Sequence, residues 1–448
     1  MEISGKKISV IGAVRSGIGA AKMIMKLGGI PFVSDSADEK KLEKQVRILK
    51  ELGVEFETGR HSEKVYNCDL MVVSPGVPSD SKVIMTAKEK NIKVIGEVEL
   101  AAFFCKANII AITGTNGKTT TTSLTGHLLK TCGANTFVVG NIGQAFSEIA
   151  LDVTKNDYVV LEISSFQLDM IENFKPRVAA LLNITPDHLN RYENKFENYV
   201  FSKFRIFKNQ DAEDYLIINR DDKTISKFLS PHDSRDMYFS LDEQQENGCF
   251  RLNDKIIFNK DGKKQFECEV TEISLFGDHN VANAMAAVSA AKLFNFDNDR
   301  IIEGLRSFEA VEHRLEFVRE LNGVRYINDS KATNVDSVWY ALRSFNEPIF
   351  LILGGLDKGN DYNQIKDLVL DRVKKIYAIG SSATKVFNFF HHDVKVEMVS
   401  SLESAVTEAN KEAREGEVVL LSPACASFDM FENYEHRGRV FKEFVKSL

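Results

Sequence analysis

A chain of 448 residues is too long for one core, and about three domains of ~150 residues are expected. Its 44% hydrophobic and 27% charged residues are ordinary for a globular protein, and a net charge of −7 argues against nucleic acid as a partner. No apolar run approaches the ~18 residues of a membrane span, and Met1 to Lys7 lacks the apolar core of a signal peptide, so a cytoplasmic protein without membrane insertion is expected.

In chain order, Lys7 to Ile11 reads as a strand, Gly17 to Leu27 as a helix and Pro31 to Ser34 as a strand. Lys40 to Leu52 and Ser81 to Lys90 read as helices, Leu70 to Ser74 and Lys93 to Ile95 as strands. The alternation predicts a Rossmann-like, doubly wound parallel sheet over residues 1–97. Gly12-Ala13-Val14-Arg15-Ser16-Gly17 joins its first strand to its first helix. Val14 stands where a dinucleotide fingerprint has its second glycine, so a nicotinamide cofactor is not expected. The turn suits a nucleotide diphosphate, and Asp35 at the end of the second strand can accept hydrogen bonds from a ribose or base. A turn needed only for helix–sheet packing is the plainer alternative.

The central region, 98–310, opens on Asn108-Ile109-Ile110-Ala111-Ile112-Thr113-Gly114-Thr115-Asn116-Gly117-Lys118-Thr119-Thr120. An apolar strand ends in a glycine turn, then a lysine, threonines and a helix from Thr121 to Lys130. Backbone amides at the helix start can cradle phosphate, Lys118 adds a point charge, and a threonine hydroxyl can hold Mg²⁺. Only Thr115 and Asn116 separate the two glycines, two fewer than in the usual P-loop, yet a nucleoside triphosphate is the expected ligand.

Strands follow at Tyr158 to Leu161 and Val178 to Leu182. Glu162 ends the first of these, where a carboxylate can hold Mg²⁺. Asp187 and His188 follow the second, at the strand edge where ligands gather in open α/β sheets. Lys203 reads by itself as a solvated surface lysine. From about 245 to 275 the pattern changes to short strands with an Asp261-Gly262 turn, a small antiparallel addition. A third, Rossmann-like α/β domain is expected over 311–448, with strands at Ile349 to Leu353, Lys375 to Ile379 and Val418 to Leu421. Six cysteines, Cys68, Cys105, Cys132, Cys249, Cys268 and Cys425, include no C-x-x-C pair and read as reduced, mostly buried thiols.

Four segments together carry a resemblance: Thr113 to Thr119, Gly140-Asn141-Ile142-Gly143, Glu162 to Gln167, and Asn183 to His188. With them the chain resembles the Mur ligase family of peptidoglycan synthesis. Asn328-Asp329-Ser330-Lys331-Ala332-Thr333-Asn334 and Leu421 to Asp429 are most similar to the members that add D-glutamate to UDP-N-acetylmuramoyl-L-alanine. The resemblance spans essentially the whole chain, in the order UDP-substrate domain, ATP domain, amino-acid domain.

It implies ATP and two magnesium ions as cofactors, with Gly114, Thr115, Asn116, Gly117, Lys118, Thr119 and Thr120 at the phosphates. Asn280, Asn283, Arg314 and Asp329 would serve the rest of the nucleotide. Thr119, Glu162, His188 and Lys203 would hold metal, Lys203 as the carbamate formed with CO₂, and Lys118, His188 and Lys203 would carry the catalysis. Arg15, Ser16, Asp35, Ser36, Gly76, Asn141 and Gln167 would meet the UDP-linked substrate, and Thr333, Lys358, Ser427, Phe428 and Tyr434 would hold D-glutamate. The partners would be these two small molecules, and a monomer is expected.

The alternatives are a sister ligase with another acceptor, a folylpolyglutamate synthetase-like ligase, an oxidoreductase, or a nucleotide-gated binding protein without catalysis. Val14 and the phosphate loop oppose the oxidoreductase. Retention of Lys118, Glu162, His188 and Lys203 opposes the binding protein.

Overall fold

The computed structural model describes residues 1–275, 277–309 and 312–448, as two compact units. One holds 1–273 with 282–307, the other 274–281 with 308–448. The expected boundary at 310/311 falls outside the described residues.

The first unit contains two sheets. β1 (Lys7–Ile11), β2 (Ile30–Asp35), β3 (Glu55–Thr58), β4 (Leu70–Val73) and β5 (Val94–Gly96) form an all-parallel sheet in the order β3-β2-β1-β4-β5. The chain reverses its winding beside β1, so the loop after β1 opens at the switch point where doubly wound sheets bind ligands.

The second sheet holds β6 (Asn108–Thr113), β7 (Thr136–Gly140), β8 (Tyr158–Glu162), β9 (Val178–Leu181), β10 (Tyr215–Asn219), β11 (Arg235–Ser240), β12 (Gly248–Leu252), β13 (Lys255–Lys260) and β14 (Lys263–Glu269). The order is β14-β13-β12-β11-β10-β9-β6-β8-β7, parallel from β7 to β12 and antiparallel from β12 to β14. The antiparallel addition is thus where the sequence placed it. Asp261 and Gly262 both have positive φ and link Lys260 to its partner Lys263 in a two-residue hairpin.

β6 lies between β8 and β9, and all three are apolar runs buried on both faces, as a helix-covered parallel sheet requires. The helix after β6 runs Lys118–Thr131, three residues longer at its start than the sequence suggested. β-Branched threonines are indifferent helix formers, but Thr119, Thr120, Thr121, Thr122 and Thr125 are buried, and packing overrides propensity.

The second unit holds β15 (Glu316–Leu321), β16 (Val324–Asn328), β17 (Ile349–Gly354), β18 (Val373–Ile379), β19 (Lys395–Met398) and β20 (Val418–Leu421). Their order is β15-β16-β20-β17-β18-β19, with only the edge strand β15 antiparallel. Insertion of β20 between β16 and β17 places Asn328, Leu421 and Ile352 side by side across three neighbouring strands. Cys249, Cys268 and Cys425 are buried, the other three cysteines partly exposed, and all six are free thiols. Among the described residues no helix is long and apolar enough to cross a membrane.

Candidate active site

The phosphate loop is shaped by its own neighbours. Gly117 sits at φ +81°, and a Cβ there would lie 2.4 Å from Asn283 Oδ1. Asn183 holds the loop three times: its carbonyl accepts the Thr115 N–H at 2.8 Å, its Oδ1 accepts the Asn116 N–H at 2.8 Å, and its Nδ2 donates to Asn116 O at 3.0 Å. The Thr115 hydroxyl donates to Thr185 O at 3.1 Å and accepts the Thr185 N–H at 3.0 Å. The first intrahelical bond runs from Thr121 N–H to Gly117 O, so the amides of Lys118, Thr119 and Thr120 precede the ladder at the positive end of the helix.

Two lysines meet at this loop. Lys118 Nζ donates to Gly114 O and Thr115 O at 2.8 Å each, and Lys203 Nζ donates to Gly114 O at 2.8 Å. Lys203 is 1% exposed, on the helix Phe196–Phe204, with its Nζ 4.6 Å from the Tyr199 ring centroid. Burial, reinforced by the Lys118 charge, pushes its ammonium well below the usual range, against the pull of Asp187, Asp169 and Glu162. The side chain that reads as solvated surface in isolation is an interior amine whose proton is held less tightly than usual.

Glu162 ends β8 and is buried. Its Oε1 accepts from Asn141 Nδ2 at 2.7 Å, and its Oε2 has no hydrogen-bond partner. A bare, buried carboxylate oxygen is costly alone and is satisfied by a cation. Glu162, the Thr119 hydroxyl and a carbamate on Lys203 would be hard oxygen donors, the class magnesium takes. Among the described residues no three His, Cys, Asp or Glu side chains are poised as a ready cage. His188 has φ +53° and a 42% exposed side chain, its Nε2 3.6 Å from Asp187 Oδ2, with the Phe166 ring 5.2 Å away.

In the first sheet, Gly12 has φ +94°, and a Cβ on Gly17 would lie 1.8 Å from Gly12 O, so the turn demands both glycines. Asp35 Oδ2 accepts the Ala13 N–H at 2.7 Å and Oδ1 the Ala37 N–H at 2.8 Å, which fixes the turn from below. Ser16 is partly exposed, and Ser36 and Gly76 are exposed around the same sheet edge. Arg15 reaches elsewhere: it donates to Gly143 O at 2.6 Å and to Gly140 O and Asn141 O at 3.0 Å. Gln167 closes the cap of the helix Ser165–Leu168, its Oε1 accepting the Ser164 N–H and hydroxyl at 2.9 Å.

Asn283 belongs to the first unit, where its Oδ1 accepts the Thr121 hydroxyl at 3.1 Å. In the second unit, Asn280 is buried, and its neighbour His279 is pushed down to about 3 by burial and by Arg314. Arg314 and Asp329 come together there. Burial raises the Asp329 carboxyl to about 7 despite the Arg314 charge. Ser422 donates its hydroxyl to Asp329 Oδ2 at 2.8 Å, and Arg314 Nε is buried without a hydrogen-bond partner.

The five residues expected at D-glutamate also lie in the second unit. Paired backbone bonds between Leu356 and Ala426 draw the loops of Lys358 and Ser427 together. Lys358 is exposed, Thr333 partly so, Ser427 buried, and Phe428 is 69% exposed. Tyr434 starts the helix Tyr434–Ser447, and its carbonyl accepts the Ser330 hydroxyl at 2.8 Å. Buried Arg437, which sequence reasoning passed over, donates to Ser330 O at 2.8 Å and Cys425 O at 3.1 Å, tying both C-terminal motifs to this helix. Tyr199 was missed as well; its hydroxyl lies 3.1 Å from Thr115 Oγ1, and only its i−4 spacing from Lys203 could have flagged it.

The chain matches the MurD N-terminal domain over residues 7–83, the Mur ligase middle domain over 112–291 and the Mur ligase, glutamate ligase domain over 313–425. It is 44% identical to the UDP-N-acetylmuramoylalanine--D-glutamate ligase of Salinibacter ruber, over 100% of this chain and 99% of that one. The fold is similar to UDP-N-acetylmuramate-alanine ligase MurC of Thermotoga maritima, with a TM-score of 0.64 at 20% identity over 99% of each chain. It is also similar to MurF ligase of Thermotoga maritima, solved in complex with ADP, with a TM-score of 0.61 at 16% identity over 93% of this chain and 95% of that one. With a full-length relative at this identity, the chain belongs to the Mur ligase family, in the branch whose members are named UDP-N-acetylmuramoylalanine--D-glutamate ligase.

Proposed function

We infer that the protein joins D-glutamate to UDP-N-acetylmuramoyl-L-alanine with ATP, through an acyl phosphate. The observation that carries the reading is the meeting of Lys118 and Lys203 on the Gly114 carbonyl. It places a point charge and a buried amine at a loop built for phosphate. The names of the relatives supply the substrates, and the ADP bound in the MurF structure supports ATP as the nucleotide.

A carboxylate and an amine do not condense in water unaided. The substrate carboxylate attacks the γ-phosphorus, the bond to the ADP oxygen breaks, and an acyl phosphate forms. Two oxyanions must approach for this, and Lys118 with the helix amides offsets their repulsion. Magnesium, held by Thr119, Glu162, His188 and the Lys203 carbamate, would supply further charge neutralisation. Carbamate formation needs the neutral amine, whose lone pair adds to the carbon of CO₂ as a proton leaves, and burial of Lys203 shifts it toward that form. The D-glutamate amine, once deprotonated, attacks the acyl carbon, and phosphate leaves with its bonding electrons. Lys358 and the Ser427 loop would pair with the carboxylates of D-glutamate and select against neutral amino acids.

In this reading, residues 1–97 bind the UDP-linked substrate, 98–310 bind ATP and 311–448 bind the amino acid. The protein acts as a cytoplasmic monomer. The test is a mass spectrum of the products: one new amide carrying one added glutamyl residue should accompany each ADP. ADP without a new amide would contradict the reading.

A further inference from the structure

We propose that Arg15 is a positioning residue that sets the Glu162 carboxylate through Asn141, coupling the diphosphate loop of the first sheet to the metal side of the second. The proposal rests on the ligase reading above. Arg15 is the first residue of the helix Arg15–Lys26, where a cation opposes the helix dipole, so the helix gives no reason for arginine at this place. Its guanidinium donates to the carbonyls of Gly140, Asn141 and Gly143. Among the described residues its hydrogen bonds go to these carbonyl dipoles and not to a carboxylate.

The turn so clamped continues directly to Glu162. Gly140 has φ +107°, and a Cβ there would lie 2.3 Å from Glu162 O, so turn and strand end are in close contact. The Asn141 N–H donates to Glu162 O at 2.9 Å, and Asn141 Nδ2 donates to Glu162 Oε1 at 2.7 Å. Asn141 therefore fixes the carboxylate by backbone and side chain together, leaving Oε2 buried without a hydrogen bond and available to a cation. Arg15 fixes Asn141. Partners behind a metal ligand typically govern 10–100-fold in metal affinity, and a planar fork meeting three carbonyls does what a lysine point charge cannot.

The test measures Mn²⁺ binding by EPR, in the presence of a non-hydrolysable ATP analogue, for wild type, R15A, N141A and the double variant. R15A and N141A should each weaken Mn²⁺ binding about tenfold, and the double variant should be no weaker than N141A alone. Additive losses, or an R15A affinity equal to wild type, would overturn the proposal. If R15A does not fold, R15K and R15Q carry the same test, each expected between wild type and N141A and each silent in the N141A background. Failure of the ligase reading would appear separately, as a wild type that binds Mn²⁺ but forms no amide.

Discussion

Lys118 and Lys203 donate to one carbonyl oxygen, that of Gly114, each at 2.8 Å. Burial, and then the charge of the neighbouring Lys118, lower the proton affinity of Lys203. The phosphate-loop lysine thereby shifts Lys203 toward the neutral form, the one that reacts with CO₂.

Lys203→Ala should therefore lower turnover at least 10³-fold, because the second anionic ligand is lost. Short-chain carboxylates such as acetate or propionate should restore part of it by filling the space of the carbamate. A phosphate-release assay with and without these acids reads the result, and absence of rescue would remove support for the carbamate.

Lys118→Ala should abolish acyl-phosphate formation while the affinity for the UDP-linked substrate changes less than threefold, since that ligand is assigned to the first sheet. Borohydride trapping and calorimetry measure the two quantities independently. Loss of both would contradict the division of roles between the sheets.

Gly117→Ala should raise the KM for ATP more than tenfold and destabilise the protein by about 1–3 kcal/mol, through φ +81° and the 2.4 Å approach to Asn283 Oδ1. Gly133→Ala is a fitting control, with φ +82° and open space around its Cβ; it should lose stability while the KM for ATP stays the same. Denaturant melts and ATP titrations of the two variants separate strain from the clash.

Asp329 gives a pH prediction. Its carboxyl is raised to about 7 in the folded protein, so the native state holds a proton that the unfolded state releases near pH 4. This contribution to stability is complete below about pH 4 and is lost as pH rises through about 7. Between those values Tm should fall with pH more steeply for wild type than for Asp329→Asn. Parallel Tm profiles would contradict the assignment.

The phosphate loop and Glu162 were legible in the sequence because glycine turns and apolar strands are local signals. The antiparallel hairpin was legible from Asp261-Gly262 for the same reason. Strands β3 and β15 were not, because Glu55–Thr58 and Glu316–Leu321 are short and mix charge with apolar residues. The helix Glu97–Phe104 was also passed over. Its Glu97 and Glu99 look like surface carboxylates, yet both are buried and accept backbone N–H groups of Ser147, Glu172, Asn173 and Phe174. Arg15 was assigned to the UDP-linked substrate, while its hydrogen bonds lie 125 to 128 residues along the chain. Lys203 needed the family resemblance, because no local pattern announces that a helix lysine is buried.

The most direct measurement is phosphate release from Mg-ATP with UDP-N-acetylmuramoyl-L-alanine, comparing D-glutamate with L-glutamate, L-alanine, L-lysine and meso-diaminopimelate. Release with D-glutamate alone is the predicted result, fixing both acceptor and stereochemistry. Release with another acceptor, and none with D-glutamate, would contradict the assignment of Lys358 and Ser427 while leaving the phosphate loop and its ATP chemistry in place.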